Sequence, residues 1–230
     1  MQISKFQLLD GAKKGRGTTI IIDVFRAFSV ECYLMNNGAT RIYPVGSIQQ
    51  ASHLKKENPD YVLIGERHEK MCEGFDFGNS PTHLLNVNFS GKTIVHTTSS
   101  GTQGIDLATN ATEILTGSFV NASAIVRYLK KIHPDIVSLV SMGYEGLYAT
   151  DEDTYCADFI ENELLGRQTD FNAMVESLKK GDGARLLNPR NKEHSPASDF
   201  GLCLDLNRFS FVLRVVKDEN GLNYLERNDV

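Results

Sequence analysis

Short apolar runs rich in β-branched residues alternate along this chain with longer stretches whose apolar positions return every three or four residues. The first clear run, Thr18 to Val24, is almost continuously apolar, as a strand covered on both faces must be. Ala27 to Asn36 follows with helical spacing, and Gly38 supplies a stop just beyond it. Arg41 to Val45 predicts a second strand, and Ser47 is placed to cap a helix running to Glu57. Tyr61 to Ile64 and Lys92 to His96 predict two more strands, the latter followed by a helix over Thr102 to Ala108. Glu113 to Leu115 and Asp135 to Met142 are further strands, separated by a helix over Val120 to Ile132. Thr150 to Gly166 and Phe171 to Lys180 carry the last clear helical patterns.

Strand and helix in alternation predict a three-layer α/β/α fold around a mostly parallel sheet, here as one domain over residues 1–230. Gly181 to Phe200 is polar, holds Pro189 and Pro196, and predicts a long irregular connection. Beyond it, Ser210 to Val216 and Leu222 to Glu226 flank Asp218-Glu-Asn-Gly221, the signature of an antiparallel β-hairpin. The expected place for this hairpin is one edge of the sheet. No internal repeat or low-complexity tract interrupts the pattern.

The totals narrow the class. At 230 residues, 41% hydrophobic and 23% charged, the chain has the length and composition of an ordinary globular protein with a sizeable core. A net charge of -5 argues against nucleic acid and against anionic membrane surfaces as partners. No apolar run approaches the roughly 20 residues that span a bilayer. The start, Met-Gln-Ile-Ser-Lys-Phe, lacks the apolar core of a signal peptide, so the cytoplasm is the expected address. A homo-oligomer is left open. Cys32, Cys72, Cys156 and Cys203 are widely spaced without a C-x-x-C pair, which fits reduced packing residues rather than a zinc site.

Ligands of open parallel sheets bind outside the carboxyl ends of the strands, and the polar residues of this chain collect at such ends. Asp23 and Arg26 follow the first long strand. Tyr61 to Ile64 leads into Gly65-Glu66-Arg67 and Gly74-Phe-Asp-Phe-Gly-Asn-Ser-Pro81, a segment too rich in glycine and charge to predict regular structure. Thr97-Thr-Ser-Ser-Gly-Thr102, Gly117-Ser118 with Asn121, and Gly143-Tyr-Glu-Gly146 with Asp151-Glu-Asp153 complete five turns. On one rim of a parallel sheet these five turns would form a composite site.

The residue types suggest what such a site holds. Hydroxyls, a glycine and a helix start over Thr97 to Thr102 suit an anion, although such turns are commonly plain caps. Arg26 and Arg67 offer guanidinium forks for phosphate, sulfonate or carboxylate oxygens; Arg67 fits equally well as an ion-pair partner of Glu66 or Asp76. Carboxylates at Asp23, Glu66, Asp76, Glu152 and Asp153 suit a hard cation such as Mg²⁺. The bland reading of the Asp151-Glu152-Asp153 run is favourable charge in the first turn of a helix. Asp23 resists a bland reading, because a carboxylate ending an Ile-Ile-Ile run is costly to bury without a partner.

Three phosphatase schemes fail on spacing. A cysteine phosphatase needs Arg six positions after its Cys, and those positions hold Gly38, Gly78, Asn162 and Phe209. Asp23-Val-Phe is not the Asp-x-Asp of the haloacid-dehalogenase scheme, and Arg67-His68-Glu69 lacks the glycine and N-terminal place of a histidine phosphatase. His68, His83 and His96 show no metal-ligand spacing and are expected on the surface or in packing.

Asp23-Val-Phe-Arg-Ala27, Gly65-Glu-Arg67, Gly74-Phe-Asp-Phe-Gly-Asn-Ser-Pro81, Thr97-Thr98 with Gly101-Thr102, Gly117-Ser118 with Asn121, and Glu152-Asp-Thr-Tyr-Cys-Ala157 occur in that order. Together they resemble the 2-phosphosulfolactate phosphatase family over residues 18 to 160, with a weaker match through Phe200 to Cys203. Phe28-Ser29, Ser100, Thr150-Asp151 and Asp158 depart from the residues usual in that family. The resemblance implies an α/β fold and Mg²⁺-dependent hydrolysis of a phosphate monoester to a hydroxy-sulfonate and phosphate, a step of coenzyme M synthesis. It implies catalytic roles for Asp23, Glu152 and Asp153, with Glu66 joining them as a metal ligand. Substrate contacts then fall to Arg26, Arg67, Asn79, Thr97, Thr98, Gly101, Thr102, Ser118 and Asn121. The alternatives are a phosphatase for a different small phosphorylated acid, since the departures fall at substrate-facing positions, and a module that binds an anionic metabolite without chemistry; the excess of carboxylates favours an enzyme over the latter.

Overall fold

A computed structural model describes all residues, Met1–Val230. The chain begins with β1 (Gln2–Gln7), α1 (Leu8–Lys14), β2 (Gly17–Ile22), α2 (Ala27–Asn36), β3 (Arg41–Pro44) and α3 (Ile48–Glu57). It continues through β4 (Val62–Arg67), β5 (Lys70–Met71), α4 (Pro81–Leu84), β6 (Thr93–Thr97), α5 (Gly101–Leu107) and β7 (Ala111–Gly117). After a 3₁₀ turn come α6 (Ala122–Ile132), β8 (Ile136–Ser141), α7 (Asp151–Leu165) and α8 (Phe171–Lys180). Two 3₁₀ turns, Asp182–Leu187 and Pro189–Asn191, lead to α9 (Ser198–Cys203), β9 (Phe211–Lys217) and β10 (Asn223–Asp229).

The ten strands form one sheet in the order β1-β8-β2-β7-β9-β10-β3-β6-β4-β5. Helices cover both faces, and strand residues divide between them with period two. Ile20 and Ile22 pack with α6 and α7, while Ile21 packs on the opposite side with Ile105 of α5. Ile42, Ile64 and Ile94 join α2, whereas Tyr43, Leu63 and Val95 face α3. This is the mostly parallel α/β architecture that the alternating pattern predicts.

Two expectations are corrected. The C-terminal hairpin is not at an edge: β9 pairs with β7 and β10 with β3, both antiparallel, so the hairpin joins two parallel groups in the middle of the sheet. Its position explains the unbroken burial of Phe211, Val212 and Leu213, a pattern of central strands rather than edges. Secondly, Gly65-Glu66-Arg67 is regular strand, the end of β4, which turns back antiparallel into β5. Gly65 is required there because a Cβ would collide with the backbone carbonyl of Thr97 on neighbouring β6. The reading also passed over β1 and α1; β1 is a half-exposed edge strand paired only with β8, without a strong apolar run.

The central hairpin has a consequence for the site. Three antiparallel junctions, β7-β9, β9-β10 and β10-β3, reverse the strand direction between the two parallel groups. In a flat sheet their carboxyl ends would lie on opposite edges. Here the sheet bends so that the ends meet: Gly101 N–H donates to Asp23 Oδ2 at 3.0 Å, and Ser100 Oγ donates to Met142 O at 3.1 Å. The five turns therefore converge as two facing rims, not as one.

Candidate active site

Where the two rims meet lies a polar cavity lined by Asp23, Arg26, Glu66, Asn79, Thr98 to Ser100 and Gly143 to Glu145, with Phe25 and Glu69 at its wall. Asp23 is held by amides from both rims, accepting from Ala27 N at 3.1 Å and from Gly101 N at 3.0 Å. Glu66 reaches from the end of β4 to accept from Ser99 N at 2.8 Å and Glu69 N at 2.9 Å. Gly101 has no room for a side chain, because a Cβ would stand 2.8 Å from Asp23 Oδ2. The Thr97–Thr102 turn thus spends its amides on carboxylates: Ser99 N–H on Glu66, Gly101 N–H on Asp23, and Thr98 N–H on Thr102 Oγ1. That differs from the anion cradle expected of this turn.

Behind Asp23 stand the two acids of α7, neither of which lines the cavity. Asp153 accepts from Val24 N and Gly143 N, both at 2.8 Å, and so clamps the ends of β2 and β8 together. Glu152 Oε1 accepts from Arg185 Nη2, while Glu152 Oε2 is buried without a partner. Burial, the largest effect, pushes the Asp23 carboxyl up to about 7, and the charges of Glu66 and Glu152 add to it against the amides of Ala27 and Gly101. Asp153 is raised well above the ordinary range by burial and then by the charges of Asp23 and Glu152.

Four buried carboxylates gathered at one place, two of them (Asp23 and Asp153) raised by burial and by their acidic neighbours, are a donor set suited to a hard cation, and the orphaned Glu152 Oε2 points the same way. No three acidic, His or Cys side chains form a ready cage. Mg²⁺ does not need one, since it usually takes one or two carboxylates and completes its shell with water and phosphate oxygens. The residues present fit that ion.

The remaining predicted residues divide. Arg26 lines the cavity but is 4% exposed and engaged, donating from Nη1 to Asp199 Oδ2 at 2.8 Å and His194 O at 2.7 Å. Asn79 Oδ1 faces His96 Nε2 at 3.1 Å, which leaves the Asn79 amide N–H₂ as a donor for the cavity. His96 Nδ1 in turn meets Glu31 Oε1 at 2.9 Å, and burial raises the Glu31 carboxyl, so this inner chain fixes the Asn79 rotamer. Arg67, Thr97, Thr102, Ser118 and Asn121 lie outside the lining. Arg67 donates to Glu66 O, Gly46 O and Thr97 Oγ1 rather than pairing with Glu66 or Asp76 carboxylates. Asn121 Oδ1 accepts from Ser118 N at 3.0 Å, and Ser118 Oγ shares a hydrogen with Ser29 Oγ at 2.6 Å, which closes the turn after β7. Asp76 accepts from Leu63 N at 2.8 Å, away from the cavity.

Three residues that the sequence reading passed over come from its irregular segment. Asp199 accepts the Arg26 ion pair together with Ser80 Oγ, Thr82 N and Thr82 Oγ1. Arg185 holds Glu152, and His194 lends its carbonyl to Arg26. The signal for them was weak: two basic residues and an acid in a segment without period.

A family model described as 2-phosphosulpholactate phosphatase matches residues 5–218. A probable 2-phosphosulfolactate phosphatase of Caldanaerobacter subterraneus subsp. tengcongensis is 32% identical over 222 residues, 88% of this chain and 88% of the relative. One of Thermotoga petrophila is 39% identical over 171 residues, 73% of this chain and 66% of the relative. One of Clostridium tetani is 31% identical over 191 residues, 81% and 82% of the two chains.

Proposed function

The chain belongs to the 2-phosphosulfolactate phosphatase family and is a phosphoric monoester hydrolase, and on that premise we propose that it converts 2-phosphosulfolactate to sulfolactate and phosphate, with Mg²⁺, as a step of coenzyme M synthesis. The observation that carries the reading is the facing pair of rims, which brings the Asp23 and Glu66 carboxylates into one cavity with Arg26 and Asn79. A binder of anions alone would gain nothing from buried carboxylates that repel its ligand.

Monoester hydrolysis asks the protein for on the order of 20 kcal/mol of transition-state stabilisation, so several groups must share it. Mg²⁺, held by Asp23 and Glu66 with the Glu152 and Asp153 charges behind them, would neutralise phosphoryl oxygens and acidify water. Asp23 and Glu66 have both oxygens anchored by backbone amides, so their remaining lone pairs are fixed in direction before substrate arrives. Arg26, immobilised by Asp199, presents its guanidinium edge to the second acidic group, and the Asn79 amide donates beside it. Tyr144 and Phe25 shield the site from bulk water. A carboxylate-oriented water or Asp23 itself is the nucleophile.

The test is phosphate release from 2-phosphosulfolactate and 2-phospholactate, side by side, with Mg²⁺ and with chelator. Release from the sulfonate alone, dependent on Mg²⁺, is the expected result. Release from the carboxylate analogue alone would move the substrate and keep the chemistry, and release from neither would leave an anion-binding module.

A further inference from the structure

Arg185 sits in the 3₁₀ turn Asp182–Leu187, outside the strand-end motifs, yet its guanidinium touches three residues of the cavity wall. It lies 5.6 Å from the Phe25 ring centre and 5.7 Å from that of Tyr144, within cation–π reach of both aromatics. Its Nε stands 3.4 Å from Glu69 Oε1, close enough for charge attraction, but forms no hydrogen bond although it is buried. Its Nη2 donates to Glu152 Oε1, and Nη1 to Asp182 O at 2.7 Å.

The pairing with Glu152 is incomplete on both sides. A guanidinium and a carboxylate usually close a fork with two parallel bonds, yet here Arg185 Nε and Glu152 Oε2 are each buried and unmatched. A buried donor without an acceptor forfeits its hydration for nothing, so such a mismatch persists where another partner completes it. The cavity supplies a reason. Its lining carries Asp23, Glu66, Glu69 and Glu145 against Arg26 alone, and the Nη1 of that guanidinium is already committed to Asp199 and His194 O. A substrate with both a phosphate and a second acidic group needs a further fixed positive charge at that wall.

We propose that Arg185 is a substrate-binding residue, the guanidinium that takes an anionic oxygen of the substrate beside Phe25 and Tyr144 while Nη2 keeps its bond to Glu152. The inference rests on the phosphatase reading of the same cavity. It assigns the irregular 181–200 segment a part in recognition, because that segment alone carries Arg185 to the wall.

Calorimetric binding of inorganic phosphate, in Mg²⁺ and in chelator, separates this role from a structural one. Arg185→Met should weaken phosphate binding about 10-fold or more, the loss of one charged hydrogen bond, and raise KM more than it lowers kcat. Arg185→Lys should recover part of the affinity, since charge returns without the fork. Unchanged phosphate affinity in a folded Arg185→Met would overturn the proposal and leave Arg185 as a partner of Glu152 only. If Arg185→Met does not fold, Glu152→Gln with Arg185→Met removes the stranded charge. That double variant is compared with Glu152→Gln alone, where weaker binding supports the role and equal binding overturns it. Wild-type protein that neither binds nor releases phosphate would overturn the phosphatase reading itself, and this inference with it.

Discussion

Asp23 and Glu66 are fixed by backbone amides of the strand ends that surround them, whereas the segment over residues 182–199 is fixed to the cavity by two guanidinium–carboxylate contacts. The first arrangement is local to the sheet rims and rigid, since amides cannot move without moving strands. The second depends on side chains brought together from positions far apart in the chain. It is costly to break above all at Arg26–Asp199, which is buried on both sides, whereas Arg185 remains partly exposed beside Glu152. The rims therefore hold the reacting geometry, and the outer segment sets charge balance and enclosure.

The largest effect is expected at the rims. Asp23→Asn should lower turnover on the order of 10³-fold or more, measured as released phosphate, because the removed charge faces the reacting centre. The fold should survive: the amide keeps one acceptor for Ala27 N or Gly101 N, and the lost repulsion with Glu66 and Glu152 offsets part of the missing bond. Retained turnover would remove Asp23 from the mechanism.

Breaking the outer segment should show in stability first. Asp199→Ala leaves the Arg26 guanidinium buried without its counter-charge and frees Ser80 Oγ and Thr82 N as well. Loss of one partner of a buried pair costs about 3–5 kcal/mol, read by urea denaturation. A change below about 1 kcal/mol, the size expected of an exposed pair, would show that Arg26 finds another acceptor and that the segment is not anchored there.

These two regions were unequally legible in the sequence. Asp23 and Glu66 stand just beyond the ends of apolar runs, so the hydrophobic pattern located them together with their strands, while Asn79 was marked only by the glycine-rich segment that holds it. The sheet's bend was not legible, because pairing of β9 with β7 and β10 with β3 is a long-range choice; only the unbroken Phe211-Val-Leu213 run hinted at a central strand. Arg67 directly follows the cavity residue Glu66, and Ser118 with Asn121 follows a strand of the same rim as Asp23, yet strand alternation and turn geometry aim them elsewhere. Arg185 and Asp199 lie in a segment whose conformation is set by what it covers, which no periodicity records.

A pH series sharpens the comparison further. In chelator, Asp23 has a carboxyl raised from 3.8 to about 7 in the folded state. Between those values the folded protein binds more protons than the unfolded chain, so stability is fully present below the lower value and is lost as pH rises through the upper one. The melting temperature should accordingly fall from pH 5 to pH 8, with the raised Asp153 acting in the same sense. Added Mg²⁺ should flatten the slope at the alkaline end by stabilising the ionised carboxylates, and Asp23→Asn should reduce the slope in chelator. A melting temperature that rises over this range would mean that the inner carboxylates are ionised and matched within the protein.

The smallest effect tests a residue that the family motif includes but the geometry sets apart. Ser118 Oγ is buried against Ser29 Oγ, which also donates to Val24 O at 2.8 Å, so Ser118→Ala removes that neutral bond and the capping bond from Asn121 N, and leaves Ser29 satisfied. The cost should be about 1–2 kcal/mol in denaturation. KM should not move, since the turn after β7 is closed by the Asn121 side chain accepting from Ser118 N, a bond that alanine keeps. A rise in KM without loss of stability would bring Ser118 into contact with substrate, and would mean that the rim of β7 turns toward the cavity when substrate binds.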